Sequence, residues 1–276
     1  MIVSKILTQN IFQGMRYVNK AIRLILTKFE RFYYRIGNRK KCYVCQRTFR
    51  RFTKYQGGFI KMPKIVEMLK IIGSDPDNFG CAYCSAYDRE RHLFMYFDKL
   101  DLWNKMKGAK ILHFSPENNL AKKITSQNPE EYVKANFNPR DESIKKIDLT
   151  DVPYSDSTFD FLIANHILEH IPEYKLAMRE IFRVLKNGGA AILQTPFSKL
   201  IETNFEVKNI DSNATRTFLY GQFDHLRVFS ERHFFQDLKD AGFELQIKKN
   251  SELFTEQDCI YYGVNSNEDL IMVIKN

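Results

Sequence analysis

The chain has 276 residues, 44% of them hydrophobic, which is enough to bury a substantial core. It contains no apolar run of about 18 residues, which excludes a membrane-spanning helix, and it lacks the charged-then-apolar opening of a secretion signal. The formal charge of +9 sits entirely in residues 1–41, where ten Lys or Arg meet one acid, Glu30; the rest of the chain is neutral, so the charge describes the leader and not a ligand pocket.

In chain order, residues 11–36 carry Ile11, Met15, Val18, Ile22, Ile25, Phe29, Phe32 and Ile36 at three- and four-residue steps, with Arg16, Lys20, Arg23, Arg31 and Arg35 on the other side. The spacing predicts a basic amphipathic helix. It would either dock on an anionic membrane surface or pack its apolar face on the rest of the chain.

Residues 42–92 hold two Cys-x-x-Cys pairs, Cys42/Cys45 and Cys81/Cys84, separated by 35 residues. Two such knuckles can place four thiolates tetrahedrally around a structural zinc ion, coupling the folding of a small unit to metal. A redox pair is the alternative. Gly57-Gly58, Gly73 and the turn-rich Ser74–Asn78 predict short strands and loops between the knuckles. Arg47, Arg50, Arg51 and Lys54 interleave with Phe49, Phe52 and Tyr55, either as a base-stacking patch or as a hairpin with its apolar side inward. Cys259 makes the cysteine count odd. With no secretion signal, that points to a reducing, cytoplasmic location, with the leader at the inner membrane face as an option.

Residues 89–107 predict one helix. Lys110–Phe114 is an apolar strand leading into Ser115-Pro116-Glu117, which reads as a helix start, with Ser at the N-cap and Pro in the first turn. Residues 132–137, 158–165 and 190–194 are further strands. Between the last two, Tyr174, Ala177, Met178, Ile181, Phe182 and Leu185 mark one face of a helix, stopped at Asn187-Gly188-Gly189. Strand and helix alternating through short loops implies a parallel, buried sheet. Residues 198–222 lack a period and read as a loop that caps the pocket and selects the substrate. Ser230 caps a helix ending at Gly242, and 243–247 and 270–274 close the chain as two strands.

The ordered set Asp148–Asp160, Asn165-His166-Ile167-Leu168-Glu169-His170-Ile171 and Arg183–Gly189 resembles the central block of class I S-adenosylmethionine-dependent methyltransferases. Gln222–Arg227 and Ala241-Gly242-Phe243 extend the resemblance to roughly residues 105–276. Cys81–Ser85 with Arg91-His92 resembles a zinc-binding extension found ahead of some of these domains.

The resemblance implies an α/β Rossmann-like, doubly wound, seven-stranded sheet, mostly parallel with an antiparallel edge pair. It also implies the order 1–41 leader, 42–92 four-cysteine zinc-binding module, 93–276 catalytic domain. For the cofactor S-adenosylmethionine it implies a site built from Ser115, Glu117, Asn136, Asp148, Leu149 and Asn165. Where the family commonly shows an acid and Gly-x-Gly-x-Gly, this chain has His113, Ser115, Glu117 and Asn119. Glu117 would then receive the ammonium, and the following helix N-terminus the carboxylate. Asn136 stands where an acid usually grips the ribose, Asp148 matches the adenine-edge acceptor, and His166, His170 and His225 are the candidate bases. The first expectation is methyl transfer to a small-molecule or sugar-like hydroxyl. The alternatives are a nucleic-acid methyltransferase gripping through module and leader, or a non-catalytic binding module on a decayed scaffold.

Overall fold

The structure, a computed structural model, describes residues 30–276. The leader helix expected at 11–36 therefore lies outside the described residues except for its last turns. There, α1 (residues 30–35) is helical. There the apolar face is not packed on the rest of the chain: Phe32 is 60% and Ile36 57% exposed, while Arg31 and Arg35 both donate to the Ala82 carbonyl, at 2.8 and 3.0 Å. The guanidinium of Arg35 also lies 4.9 Å from the centre of the Tyr83 ring. Cation–π contact and donors matched to a free carbonyl turn the basic side inward.

The hairpin β1 (Lys40–Lys41) and β2 (Thr48–Phe49) carries the first Cys pair. A single 3-10 turn (Phe59–Lys61) and α2 (Lys64–Met68) follow, so the stretch between the knuckles is partly helical where strands were expected. The helix expected at 89–107 is two helices, α3 (Asp88–Lys99) and α4 (Leu102–Lys105). They are broken at Asp101, whose backbone is left-handed at φ 53°.

The main sheet is built from β3 (Lys110–Phe114), β4 (Glu131–Asn136), β5 (Lys145–Lys146), β6 (Phe159–Ala164), β7 (Leu185–Ile192), β10 (Glu244–Lys248) and β11 (Leu270–Ile274). A short pair, β8 (Phe197–Ser198) and β9 (Phe229–Ser230), stands apart. The main order is β10-β11-β7-β6-β3-β4-β5, parallel except for β11, which runs antiparallel to both neighbours. This is the expected doubly wound, Rossmann-like sheet. β3 and β6 alternate between two cores: Leu112, Phe114, Phe159 and Leu162 face one side, Ile111, Phe161 and Ile163 the other. Burial on both faces is why these strands read as continuous apolar runs.

Helix α6 (Tyr174–Val184) and helix α8 (Glu231–Asp240) cover the first side; α3, α4 and α5 (Asn118–Thr125) cover the second. Ser230 caps α8, as expected, accepting from the His233 N–H. Asn187-Gly188-Gly189 does not stop a helix. α6 passes directly into β7, and the glycines sit where β7 shifts register against β6. Gly188 takes φ 77°, and a Cβ on Gly189 would come within 2.8 Å of the Lys186 carbonyl oxygen. The insertion carries α7 (Asn213–Tyr220), and α9 (Asn250–Leu253) and α10 (Glu256–Tyr262) precede β11.

Candidate active site

Sequence places β3 first in the sheet, then sends the chain to β4 on one side and β6 on the other. The carboxyl ends of β3 and β6 thus flank a topological switch point, the ordinary ligand crevice of such sheets. A cleft of about 680 Å³ opens there. Ser115, Asn136, Asp148, Leu149, Asn165, His166 and His170 all line it; Glu117 does not.

The turn after β3 is tighter than its Ser-Pro-Glu sequence implied. Ser115 is left-handed at φ 47°, and α5 begins only at Asn118, so Ser115 is not its N-cap. The Ser115 N–H continues the ladder to the Ala135 carbonyl at 2.7 Å, and its hydroxyl accepts from Asn136 Nδ2 at 2.8 Å. Nor is the α5 N-terminus open to a ligand. The buried Glu90 carboxylate already accepts from the N–H groups of Asn119 and Leu120, both at 2.9 Å. A carboxylate at the positive end of a helix is favourable, and here the protein supplies its own.

Glu117 lies behind the cleft wall, accepting from Asn165 Nδ2 at 2.6 Å and facing His113 Nε2 at 3.2 Å. Burial pushes its pKa up, but the His113 contacts outweigh that and hold it below the usual range. The Asn165 Oδ1 is buried and unpartnered beside the cleft. A buried acceptor without a donor is costly, so this atom suits a ligand that brings one. Asp148 makes the turn its sequence suggested, its Oδ1 accepting from the Thr150 N–H at 2.9 Å and hydroxyl at 2.7 Å, and still faces the cleft.

The three candidate histidines converge on a residue that the sequence reading passed over, Glu169, only 1% exposed. Its Oε1 lies 3.5 Å from His166 Nδ1, 3.9 Å from His170 Nε2 and 4.0 Å from His225 Nε2. His166 is also 3.6 Å from Glu268 and takes a left-handed φ of 55°. Burial alone would lower the His166 pKa, but the carboxylates of Glu169 and Glu268 outweigh it and lift it to about 9. His225 goes the other way: burial brings it down to about 4. At neutral pH His166 is therefore a cation and His225 a neutral imidazole. The missed signal was a carboxylate three residues after one histidine and one before another. Arg89 was missed as well. It lines the cleft, and its Nε is buried without a partner.

A second cavity of about 350 Å³ adjoins the cleft and shares Arg89, His166, His170 and Asp224 with it. Tyr55, Phe59, Phe79 and Tyr87 from the Cys-bearing region form one wall; Tyr220, Gly221 and Gln222 from the insertion form another.

The two knuckles repeat one backbone pattern. Cys42 N–H donates to Arg47 and Gln46 N–H to Cys42; Cys81 N–H donates to Ala86 and Ser85 N–H to Cys81. The four Sγ atoms lie within 4.8 Å of one another, with Cys42–Cys84 at 3.6 Å and Cys45–Cys81 at 3.8 Å. A tetrahedron with Zn–S bonds of about 2.3 Å has edges of about 3.8 Å, so the tetrad fits zinc. Phe49 and Phe52 are buried beneath it, and the guanidinium groups of Arg47 and Arg50 lie over Tyr83 and Tyr33. Phe49 and Phe52 thus face inward, while Arg47, Arg51 and Lys54 stay exposed.

Residues 77–246 match the family described as "Methyltransferase domain". Over 45 residues, 16% of this chain, it is 42% identical to a demethylmenaquinone methyltransferase of Staphylococcus carnosus; over 110 residues, 40% of this chain, it is 30% identical to an uncharacterised protein of Methanocaldococcus jannaschii. The chain spans only 19% and 50% of the length of these curated relatives. Among solved structures, an S-adenosylmethionine-dependent methyltransferase of Mesorhizobium loti matches with a TM-score of 0.48 at 11% identity, covering 66% of this chain and 98% of that one. A putative methyltransferase of Bacillus halodurans matches at 0.43 and 16% identity, covering 65% and 98%.

Proposed function

We propose a function from one premise: the chain belongs to the methyltransferase domain family. It binds S-adenosylmethionine in the cleft at the β3/β6 switch point and transfers the methyl group to a small-molecule hydroxyl held in the second cavity. The observation that carries this reading is the meeting of two cavities at one shared wall, Arg89, His166, His170 and Asp224. Methyl transfer needs two ligands aligned at one carbon, and adjoining cavities supply proximity and orientation.

Asn136 and Ser115 suit the ribose hydroxyls, and Asp148 with the Leu149 backbone suits the adenine edge. Asn165 Oδ1 accepts from the ammonium. The cofactor carboxylate, excluded from the α5 N-terminus by Glu90, pairs with Arg89. The cofactor supplies an electrophilic methyl group; the protein's part is to hold both partners and exclude water. The ring-lined walls of the second cavity favour a planar or sugar-like acceptor, whose apolar face packs on Tyr and Phe. Zinc held by Cys42, Cys45, Cys81 and Cys84 fixes the fold of that wall. No helix among the described residues is long and apolar enough to cross a membrane. The outward Phe32 and Ile36 support peripheral contact of the leader with an anionic lipid surface.

Isothermal calorimetry with S-adenosylmethionine tests the reading. Saturable one-to-one binding is expected, weakened at least tenfold in Asp148→Ala. No heat with the natural protein removes the cofactor assignment.

A further inference from the structure

We propose that Glu169, His170 and His225 form a binding site for a divalent transition-metal ion, separate from the Cys tetrad, in the wall between the two cavities. One ligand atom from each lies within 4.8 Å of the other two. The Glu169 carboxylate is fixed in place: Oε2 accepts from the Thr195 hydroxyl at 3.0 Å. Its Oε1 is buried and makes no hydrogen bond, although three imidazoles surround it.

His170 accounts for part of this. Its Nδ1 is 3.1 Å from the Asp224 backbone carbonyl, which can only accept, so the proton sits on Nδ1. That turns Nε2 toward Glu169 Oε1, at 3.9 Å. Both atoms are of the kind that ligates a metal ion, and no hydrogen bond joins them. An imidazole whose other nitrogen is held by a carbonyl is the usual way a metal-binding histidine is oriented. His225 packs edge-on against His170, ring centroids 4.8 Å apart, and brings its Nε2 to 4.0 Å from the same oxygen.

Metal–ligand bonds of about 2.1 Å place tetrahedral ligand atoms about 3.4 Å apart. The two separations to Glu169 Oε1, 3.9 and 4.0 Å, exceed that by about half an ångström, and the third lies within 4.8 Å, so the two rings would turn inward to close on an ion. Two imidazoles and a carboxylate suit Zn²⁺, Mn²⁺, Fe²⁺ or Co²⁺, and three protein ligands leave positions open. All three residues line the second cavity, so the open positions face the acceptor. There the ion would bind the acceptor hydroxyl and make it more acidic, the proton passing to water in the open cavity as the oxygen takes the methyl group. That role rests on the methyl-transfer reading; the binding of the ion does not.

The test uses the chain of residues 1–276, Mn²⁺ as the probe and no methyl donor. Mn²⁺ prefers nitrogen and oxygen ligands to four thiolates, so it reports this site and not the tetrad. Titration followed by electron paramagnetic resonance should show one bound Mn²⁺ per chain, with imidazole nitrogen coupling in pulsed spectra. Affinity should fall at least tenfold in His170→Gln and in His225→Gln. Absence of bound Mn²⁺, or bound Mn²⁺ without nitrogen coupling in the natural protein, overturns the proposal whether or not the variants fold. Equal affinity in folded variants also overturns it.

Discussion

Arg91→Lys should destabilise the whole chain while keeping the charge. Arg91 is fully buried. Its Nε donates to the Tyr262 carbonyl at 3.0 Å, Nη1 to Phe79 at 3.2 Å and Ala86 at 2.7 Å, and Nη2 to Asn78 at 2.5 Å and Gly263 at 2.6 Å. The guanidinium carbon also sits 3.8 Å from the centre of the Phe52 ring. Three of these carbonyls flank the second Cys knuckle, and two end α10, so a single side chain joins the Cys tetrad to the domain. An ammonium has three donors and lacks the planar fork, so at least two carbonyls lose their partner. Each buried acceptor left unpaired costs about 1–3 kcal/mol, giving about 2–6 kcal/mol in total. Urea unfolding followed by circular dichroism measures this as a lower midpoint at unchanged slope. A loss under about 1 kcal/mol would mean that water re-pairs the carbonyls, and the reasoning from buried acceptors would fail.

Arg89→Ala should weaken S-adenosylmethionine binding by roughly tenfold or more, since a charge-assisted hydrogen bond contributes about 1.5–3 kcal/mol; an unchanged calorimetric constant would remove Arg89 from the cofactor site. Asp88 is a buried acid whose pKa rises, through burial, from 3.8 to about 6. Between those values the folded chain binds the extra proton, so stability falls as pH rises through the window, by about 3 kcal/mol. Asp88→Asn, which can still accept from the Asp75 N–H, should be more stable than the natural protein at pH 7.5 and flatten the profile; parallel profiles would contradict this. Chelator treatment after thiol modification should release one zinc ion from the Cys tetrad and lower the melting temperature. Cys84→Ser should do the same, and full stability of a metal-free chain would exclude a structural ion.

The legible parts of the sequence were those whose cause is local or repeats along the chain. β3 and β6 are apolar on both faces, α6 keeps one face at helical spacing, and Ser230 caps its own helix; each announces itself within ten residues. What escaped depends on distant partners. The α5 N-terminus looked like a ligand site until Glu90, from α3, was seen to occupy it. Gly188-Gly189 has the chemistry of a helix stop, and only pairing with β6 turns it into a break in register. Asp101 carries no helix-breaking residue type, so nothing local marked the division of α3 from α4. The histidines were found by residue type, but their charges follow from Glu169 and Glu268, and Glu268 comes from a loop about 100 residues further along the chain.

The long gap between the Cys pairs has a structural counterpart. Residues 46–80 do more than connect two knuckles. They contain Tyr55 and Phe59, then α2, and return through Ile72, whose backbone pairs with Phe197 at 2.8 and 3.0 Å, before reaching Phe79. Their aromatic side chains face the second cavity. A loop of this length gains order mainly from fixing its ends, and the closure entropy depends only weakly on how many residues lie between. The Cys tetrad joins both ends, with Arg91 tying it to α10, and of the interior Phe49 and Phe52 pack beneath the tetrad. The rest carries Tyr55, Phe59 and Phe79 to the second cavity. On the proposed reading, loss of zinc should therefore weaken acceptor binding more than cofactor binding, because the cofactor cleft is built from β3, β4 and β6, and the Cys-bearing region contributes only the neighbouring Arg89 to it.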